Sequence, residues 1–179
     1  MSVVDGDGMA VSLTHTAANH FGSKVVCPRT GLIFDGAMGW FNACPNAANS
    51  IEGGKRPLAN MAPLLVTKGG QVVAAIGAPG GRRIINATLQ LIINLIEKKM
   101  NAVDAVHAPR IDASGTTLLA SERLKEAVEA TGLNSYGYVN GEFEPYTYEM
   151  ARPVVVVREQ DGRLVAITDP TTKGYSSAI

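Results

Sequence analysis

At 179 residues, the chain is domain-sized and long enough to bury a sizeable core, and it reads as a single domain over 1–179. Sixteen basic residues balance sixteen acidic ones, so neither nucleic acid nor an anionic membrane surface is an expected partner. No apolar run reaches the roughly 18 residues of a membrane span, and charged residues are only 18% against roughly 25% in an ordinary globular domain, as in a chain that packs against something else.

Taken in order, Ser2 to Asp5, the turn Asp5-Gly6-Asp7-Gly8, and Met9 to Thr16 predict a β-hairpin that enters the fold at once. This start has none of the marks of a signal peptide. Cys27 and Cys44 could form a pair or stand as two small core residues, and read as unpaired thiols. Gly31 to Asp35 predicts a short strand. Residues 36–62, rich in Gly, Asn, Pro and Ala, predict a long irregular connection of the kind that often carries function. Leu64 to Thr67, the turn Lys68-Gly69-Gly70-Gln71, and Gln71 to Ile76 predict a second hairpin.

Ile84 to Ile96 is apolar almost all round, with polar residues recurring at Asn86, Gln90 and Asn94. This pattern predicts a buried helix with one thin polar stripe. Asn101 to His107 predicts a shorter helix stopped before Pro109, and Arg110 to Leu119 a strand and turn. Ser121 is an N-cap candidate for a helix over Glu122 to Ala130, with Gly132 as its stop. Residues 133–151 hold four of the five tyrosines and have no clear period. Pro153 to Arg158 and Arg163 to Thr168, joined at Gln160-Asp161-Gly162, predict a last hairpin. Val154 to Val157 is apolar without alternation, as in a strand covered on both faces. Hairpins outnumber strand–helix–strand units, so the expected class is α+β with a mostly antiparallel sheet.

The strongest chemical signal is Gly77-Ala78-Pro79-Gly80-Gly81 between a predicted strand and a predicted helix. The first N–H groups of a helix lack internal partners and carry the positive end of its dipole. Such a turn suits an anion, or an oxyanion that develops in acyl transfer. Its simpler reading is a glycine turn alone. Arg82 stands where a P-loop needs its second glycine, and Pro79 interrupts the dinucleotide-binding spacing. His15 and His20 lack a third metal ligand, and no metal or cofactor is expected. Asp104 and His107 read as solvated or capping residues. Arg82 and Arg83 read as a solvated helix start or as groups facing an anionic substrate.

Several motifs occur in order: Ser2-Val3-Val4-Asp5, Leu13-Thr14-His15-Thr16 with Phe21-Gly22, Lys55-Arg56-Pro57-Leu58-Ala59-Asn60-Met61, the Gly77–Arg83 stretch, Ala108-Pro109-Arg110, and Asp169-Pro170. Together they resemble the small subunit of γ-glutamyltranspeptidases and their acylase relatives, over essentially the whole chain. The resemblance implies half of a four-layer α/β/β/α N-terminal-nucleophile hydrolase sandwich, completed by a large subunit cut from the same precursor. It implies an N-terminal Thr nucleophile with its own α-amino group as base. It implies Gly80 and Gly81 as the oxyanion hole, and Thr16 as the second Thr that hydrogen-bonds the nucleophile. The substrate implied is a small acyl amide such as a γ-glutamyl compound.

The departures are equally specific. The family's small subunit opens T-T-H-x-S-V-V-D, so the catalytic Thr would lie three residues before Met1. Removing Met1 would expose Ser2, roughly 13 Å along an extended strand from that place. The family's α-ammonium-binding Asp is replaced by Trp40, its Asn two residues after the second Thr by Ala18, and its carboxylate-binding Ser-Ser pair by Ala59-Asn60. The Phe41–Lys55 loop is short for a lid. The expected function is therefore a transpeptidase-like amidohydrolase whose γ-glutamyl recognition is remodelled, with a nucleophile encoded upstream. The alternatives are an acylase of non-γ-glutamyl amides, such as β-lactam side chains, and a non-catalytic packing partner. A true start at Met1 implies the cytoplasm, and a longer precursor implies the periplasm or secretion.

Overall fold

The computed structural model describes residues 1–132, 150–172 and 174–177. Most of the tyrosine-rich stretch, 133–149, lies outside the described residues. The chain divides into two compact units, Met1–Thr14 with Met61–Ile179, and His15–Asn60.

In the first unit, β1 (Ser2–Val4) and β2 (Ala10–Ser12) form the entry hairpin, with Ser2 opposite Ser12. Asp5 closes its turn by accepting from the Met9 N–H at 2.8 Å. The main sheet contains β3 (Leu64–Lys68) and β4 (Gln71–Gly77), which pair antiparallel. Their two-residue loop places Gly69 and Gly70 at φ 58 and 82, and such turns need positive φ at both central positions. Downstream come α1 (Ile84–Ile92), α2 (Ala102–His107), the short pair β5 (Ile111–Asp112) and β6 (Leu119–Ala120), and α3 (Lys125–Ala130). The strands β7 (Val154–Arg158) and β8 (Leu164–Thr168) complete the sheet in the order β3-β4-β7-β8, antiparallel throughout.

Register explains the core. Leu64 faces Ile76, Val66 faces Ala74, Ile76 faces Val155, and Val155 faces Ile167. These residues therefore line one face of the pleat, where Leu91, Ala105 and Val106 of α1 and α2 cover them. Ile76 and Val106 are fully buried, and each such side chain is worth about 1.5–3 kcal/mol relative to exposure. On the other face Ala75 and Val156 are buried as well, as the unbroken valine run of β7 requires. There the hairpin β1–β2 places the Ser2 and Ser12 hydroxyls over Gly77, and Ser12 Oγ donates to Ile76 O at 2.6 Å.

Two expectations are corrected. The long helix is not buried all round: Ile85 and Leu89 are 55% and 54% exposed, and past Ile92 the backbone widens into a π-helical stretch, Ile93–Glu97. Ile84, Ala87, Thr88 and Leu91 form the buried side, and the polar stripe, half-buried at Asn86 and Gln90, also meets protein. Gln90 Nε2 donates to Ile111 O at 2.7 Å while its Oε1 accepts from Ile111 N at 3.0 Å. Asn86 Nδ2 donates to Asp112 Oδ1 at 2.8 Å, and Asn94 Nδ2 to Ala105 O at 3.4 Å. Strand β5 is only two residues long, so its backbone needs partners beyond the sheet ladder; Gln90 supplies them at Ile111, and Asn86 meets the Asp112 carboxylate.

The second correction falls in the other unit. Gly31–Asp35 is not a strand; Val26 and Ile33 form an isolated bridge. Backbone bonds do run from Cys27 N to Leu32 O and from Phe34 N to Val25 O. The ladder cannot extend, because Phe21 and Lys24 sit at φ 59 and 63, outside the strand region.

Candidate active site

The turn after β4 is built from behind. Gly80 and Gly81 have φ 146 and 62, conformations that L side chains rarely adopt. A Cβ on Gly80 would stand 2.5 Å from both Cα and Cβ of Ala151, whereas one on Gly81 would meet open space. Arg152 N donates to Pro79 O at 3.0 Å, which carries the β4–β7 pairing past the sheet and into the turn. Among the described residues, neither the Gly80 nor the Gly81 N–H makes a hydrogen bond. A short 3-10 turn, Gly81–Arg83, then leads into α1.

Ala151 is itself anchored. Arg110 Nη2 donates to Ala151 O at 3.3 Å and lies 2.5 Å from Asp169 Oδ2, while Nη1 donates to Val106 O at 2.7 Å. The Arg110 and Asp169 side chains are 12% and 1% exposed. Asp169 Oδ1 accepts from the N–H and hydroxyl of Thr171 at 2.9 and 2.6 Å. The two motifs Ala108-Pro109-Arg110 and Asp169-Pro170, remote in sequence, thus meet in one buried ion pair behind the glycine turn.

In front of the turn lies a cavity of about 410 Å³ whose walls include Gly80, Gly81, Arg83, Asp112, Ser114 and Thr117. Asp112, 3% exposed, accepts from Asn86 Nδ2 and from Ser114 Oγ at 2.9 Å, and lies 3.6 Å from Arg83 Nε. The sequence reading missed Asp112, Ser114 and Thr117. Asp112 stands 26 positions from its partner Asn86, and no local spacing signals that pairing.

The remaining expected site residues lie in the His15–Asn60 unit. Thr16 Oγ1 accepts from Ala18 N at 3.0 Å, which leaves its hydroxyl proton free to be donated. Thr16 and Ala18 line a second concavity with Asn19, Asp35 and Gly36. Ala18 is held at φ 65. Trp40 ends a 3-10 turn, Ala37–Trp40, and its carbonyl accepts from Asn49 Nδ2 at 2.7 Å. Ala59 is exposed and Asn60 half-buried. Cys27 and Cys44 are free thiols. The Cys27 thiol is held below its ordinary range, first by a hydrogen bond with the Thr30 side chain and then by backbone bonds at Arg29 and Thr30. The Ser2 hydroxyl is buried without a hydrogen-bond partner among the described residues.

The family model described as Gamma-glutamyltranspeptidase matches residues 1–179. The chain belongs to the γ-glutamyltranspeptidase family. Among its curated relatives, the glutathione hydrolase proenzyme of Pseudomonas sp. (strain A14) is 44% identical over 119 residues, covering 61% of this chain and 21% of that protein. The acylase ACY 1 proenzyme of Pseudomonas sp. (strain SE83) is 41% identical over 128 residues, 72% of this chain and 23% of that protein. This γ-glutamyltranspeptidase-family chain thus spans about a fifth of the length of the curated relatives it matches. A solved chain of γ-glutamyltranspeptidase from Pseudomonas nitroreducens, complexed with L-DON, superposes with a TM-score of 0.79 at 28% identity, covering 99% of this chain and 97% of that one. The same enzyme has been solved as a highly active mutant in which a tryptophan is replaced by aspartate. The α+β class, with antiparallel sheets and helices, agrees with these neighbours.

Proposed function

We propose that the chain is the small-subunit half of a γ-glutamyltranspeptidase-like amidohydrolase, a single domain that completes a four-layer sandwich with a large subunit. The observation that carries this is the Gly80–Gly81 turn. Two consecutive positive-φ glycines with uncommitted N–H groups, backed by Ala151 and open to a cavity, form a cradle for an oxyanion. The end-to-end match to a separate solved chain of similar length supports the subunit reading. Exposed apolar side chains on α1 support a large partner surface.

The nucleophile is then a threonine encoded upstream, and the hairpin register suits it. Ser2 pairs with Ser12, and Met1 is bonded both ways to Leu13 at 2.8 Å. The threonine oxygen attacks the amide carbon, its proton passing to its own α-amino group, and the carbonyl oxygen gathers charge against the glycine N–H groups. The proton moves to the leaving amine as the C–N bond breaks. Water or another amine then takes the acyl group from the ester.

A second reading changes the acyl group. Trp40, Ala18 and Ala59 supply no carboxylate or amide for a γ-glutamyl α-amino-acid end, which favours an acylase of apolar amides. The similarity to an acylase proenzyme supports this reading. The test is to express the whole gene product, define the N-terminus of its mature small chain by mass spectrometry, and assay γ-glutamyl and apolar acyl anilides. Self-cleavage ahead of a threonine, with turnover of either substrate, supports the enzyme. An uncleaved product inactive on both classes would leave the packing-partner reading.

A further inference from the structure

Trp40 and the pair Ala59-Asn60 are joined by a long irregular stretch within the His15–Asn60 unit, and one side chain touches both ends of it. Asn49 Nδ2 donates to Trp40 O at 2.7 Å, and Asn49 Oδ1 accepts at 3.0 Å from the N–H of Leu58, the residue just before Ala59. The Asn49 carbonyl in turn accepts from Asn42 N at 2.7 Å. A single half-buried amide therefore ties the chain leaving Trp40 to the chain entering Ala59. The loop around it is closed on itself. Ser50, 8% exposed, accepts from Ala47 N at 2.7 Å through its hydroxyl, which also lies 2.9 and 2.7 Å from the carbonyls of Cys44 and Ala47. Asn42 Oδ1 accepts from Cys44 N at 2.9 Å, and Asn42 and Ser50 form an isolated bridge. The two bonds of Asn49 need a donor and an acceptor on one short side chain, and an amide carries both. A carboxylate there would keep the acceptor for Leu58 and set a second oxygen against the Trp40 carbonyl.

We infer that Asn49 is a positioning residue for acyl-group selection: it fixes the spacing between Trp40 and Ala59-Asn60, and through that spacing it favours donors whose acyl group is large enough to meet both. The inference rests on the reading given above, in which these two segments receive the donor of an acyl transfer. Asn49 takes no part in the bond changes, because its amide is committed to backbone groups and acts only through the segments it joins. Bringing the ends of a flexible loop together costs conformational entropy, and the two amide bonds offset that cost before any donor arrives. Without them, a donor that spans both segments has to order them itself, which weakens its binding. A donor with a small acyl group does not span the segments and bears no such cost.

The experiment uses the protein expressed from the whole gene, with 5-fluorotryptophan incorporated and the Trp40 resonance assigned by its loss in Trp40→Phe. The donors are acetyl anilide and the better used of the phenylacetyl and γ-glutamyl anilides. Asn49→Ala should lower kcat/KM for the large donor roughly tenfold, mostly through KM, the worth of the lost hydrogen bonds. The acetyl donor should stay within about threefold of the wild type. Asn49→Asp, of nearly the same shape, should move the large-to-acetyl ratio in the same direction, and it carries the test where truncation prevents folding. In both variants the Trp40 fluorine resonance should shift or broaden. Large and acetyl donors falling in parallel would reveal a general structural role and overturn the inference. A Trp40 resonance that moves in neither variant overturns it whatever the turnover. Absence of turnover of every donor by the wild type overturns the acyl-transfer reading and this inference with it, whereas turnover with an unmoved large-to-acetyl ratio overturns the inference alone.

Discussion

Asp169→Asn is the sharpest perturbation of the frame behind the glycine turn. It removes the charge facing Arg110 while keeping the side-chain shape, so a guanidinium only 12% exposed loses its counterion. Removing one partner of a buried pair costs about 3–5 kcal/mol, because the remaining charge is uncompensated. For a chain of this size each kcal/mol shifts Tm by about 2–4 °C, so the expected fall is roughly 6–20 °C. Arg110→Met should cost a similar amount. It also frees the carbonyls of Val106 and Ala151 from their donor, and Ala151 is the residue Gly80 packs against. The double variant Arg110→Met/Asp169→Asn removes both charges of the pair and should be less damaging than the sum of the two single changes, with a coupling of at least about 1 kcal/mol. It should not recover fully, because the carbonyls of Val106 and Ala151 still lose their donor. Calorimetry on the four forms of the same protein measures the cycle. Single variants melting within about 2 °C of the wild type, or strictly additive losses, would show that the pair does not hold this region.

Three further outcomes follow from the site. Gly80→Ala should abolish most amide turnover of the complete enzyme, since its methyl would stand 2.5 Å from Ala151; turnover within about twofold of the wild type would remove the oxyanion assignment. Trp40→Asp should shift the kcat/KM ratio toward γ-glutamyl over apolar acyl donors by roughly ten- to a hundredfold, the worth of one charge-assisted hydrogen bond. A wild-type ratio that already favours γ-glutamyl donors and does not move would place the ammonium site elsewhere. Ala18→Asn should raise stability by about 1 kcal/mol, because Ala18 sits at φ 65 and Asn tolerates the left-handed region that Ala avoids; an unchanged or lower Tm would mean that the local backbone is not strained.

The hairpins were legible because their turns are chemically explicit: Gly69-Gly70 and Asp161-Gly162 permit the backbone that tight connections need, and apolar runs flank them. The valine run of β7 announced burial on both faces for the same local reason. The orientation of α1 was not legible, because periodicity identifies a stripe without saying which side of the helix meets protein. Asn86 and Gln90 turn inward only because β5, more than twenty residues later, has backbone and carboxylate groups in need of partners. The Gly31–Asp35 run has strand-like composition, but left-handed residues upstream stop the pairing at a single bridge. At the site, the glycine turn could be read from its spacing. The cavity in front of it depends on β5 and the loop after it, and long-range placement of that kind leaves no mark in local sequence.

The outward-facing aliphatic side chains of α1 and of the π-helical stretch after it offer a practical handle. Because Ile85, Leu89, Ile93 and Ile96 lie 38–55% open while the anchoring contacts of this segment come from the opposite side, charged replacements such as Ile85→Lys and Leu89→Glu should leave the tertiary structure of the chain intact and improve its behaviour in solution. On the two-subunit reading proposed above, the same replacements act on assembly instead. A helix built in this way allows its open and its packed side to be engineered independently, and hydropathy-guided redesign that swapped Asn86 or Gln90 for leucine would disrupt the wrong side.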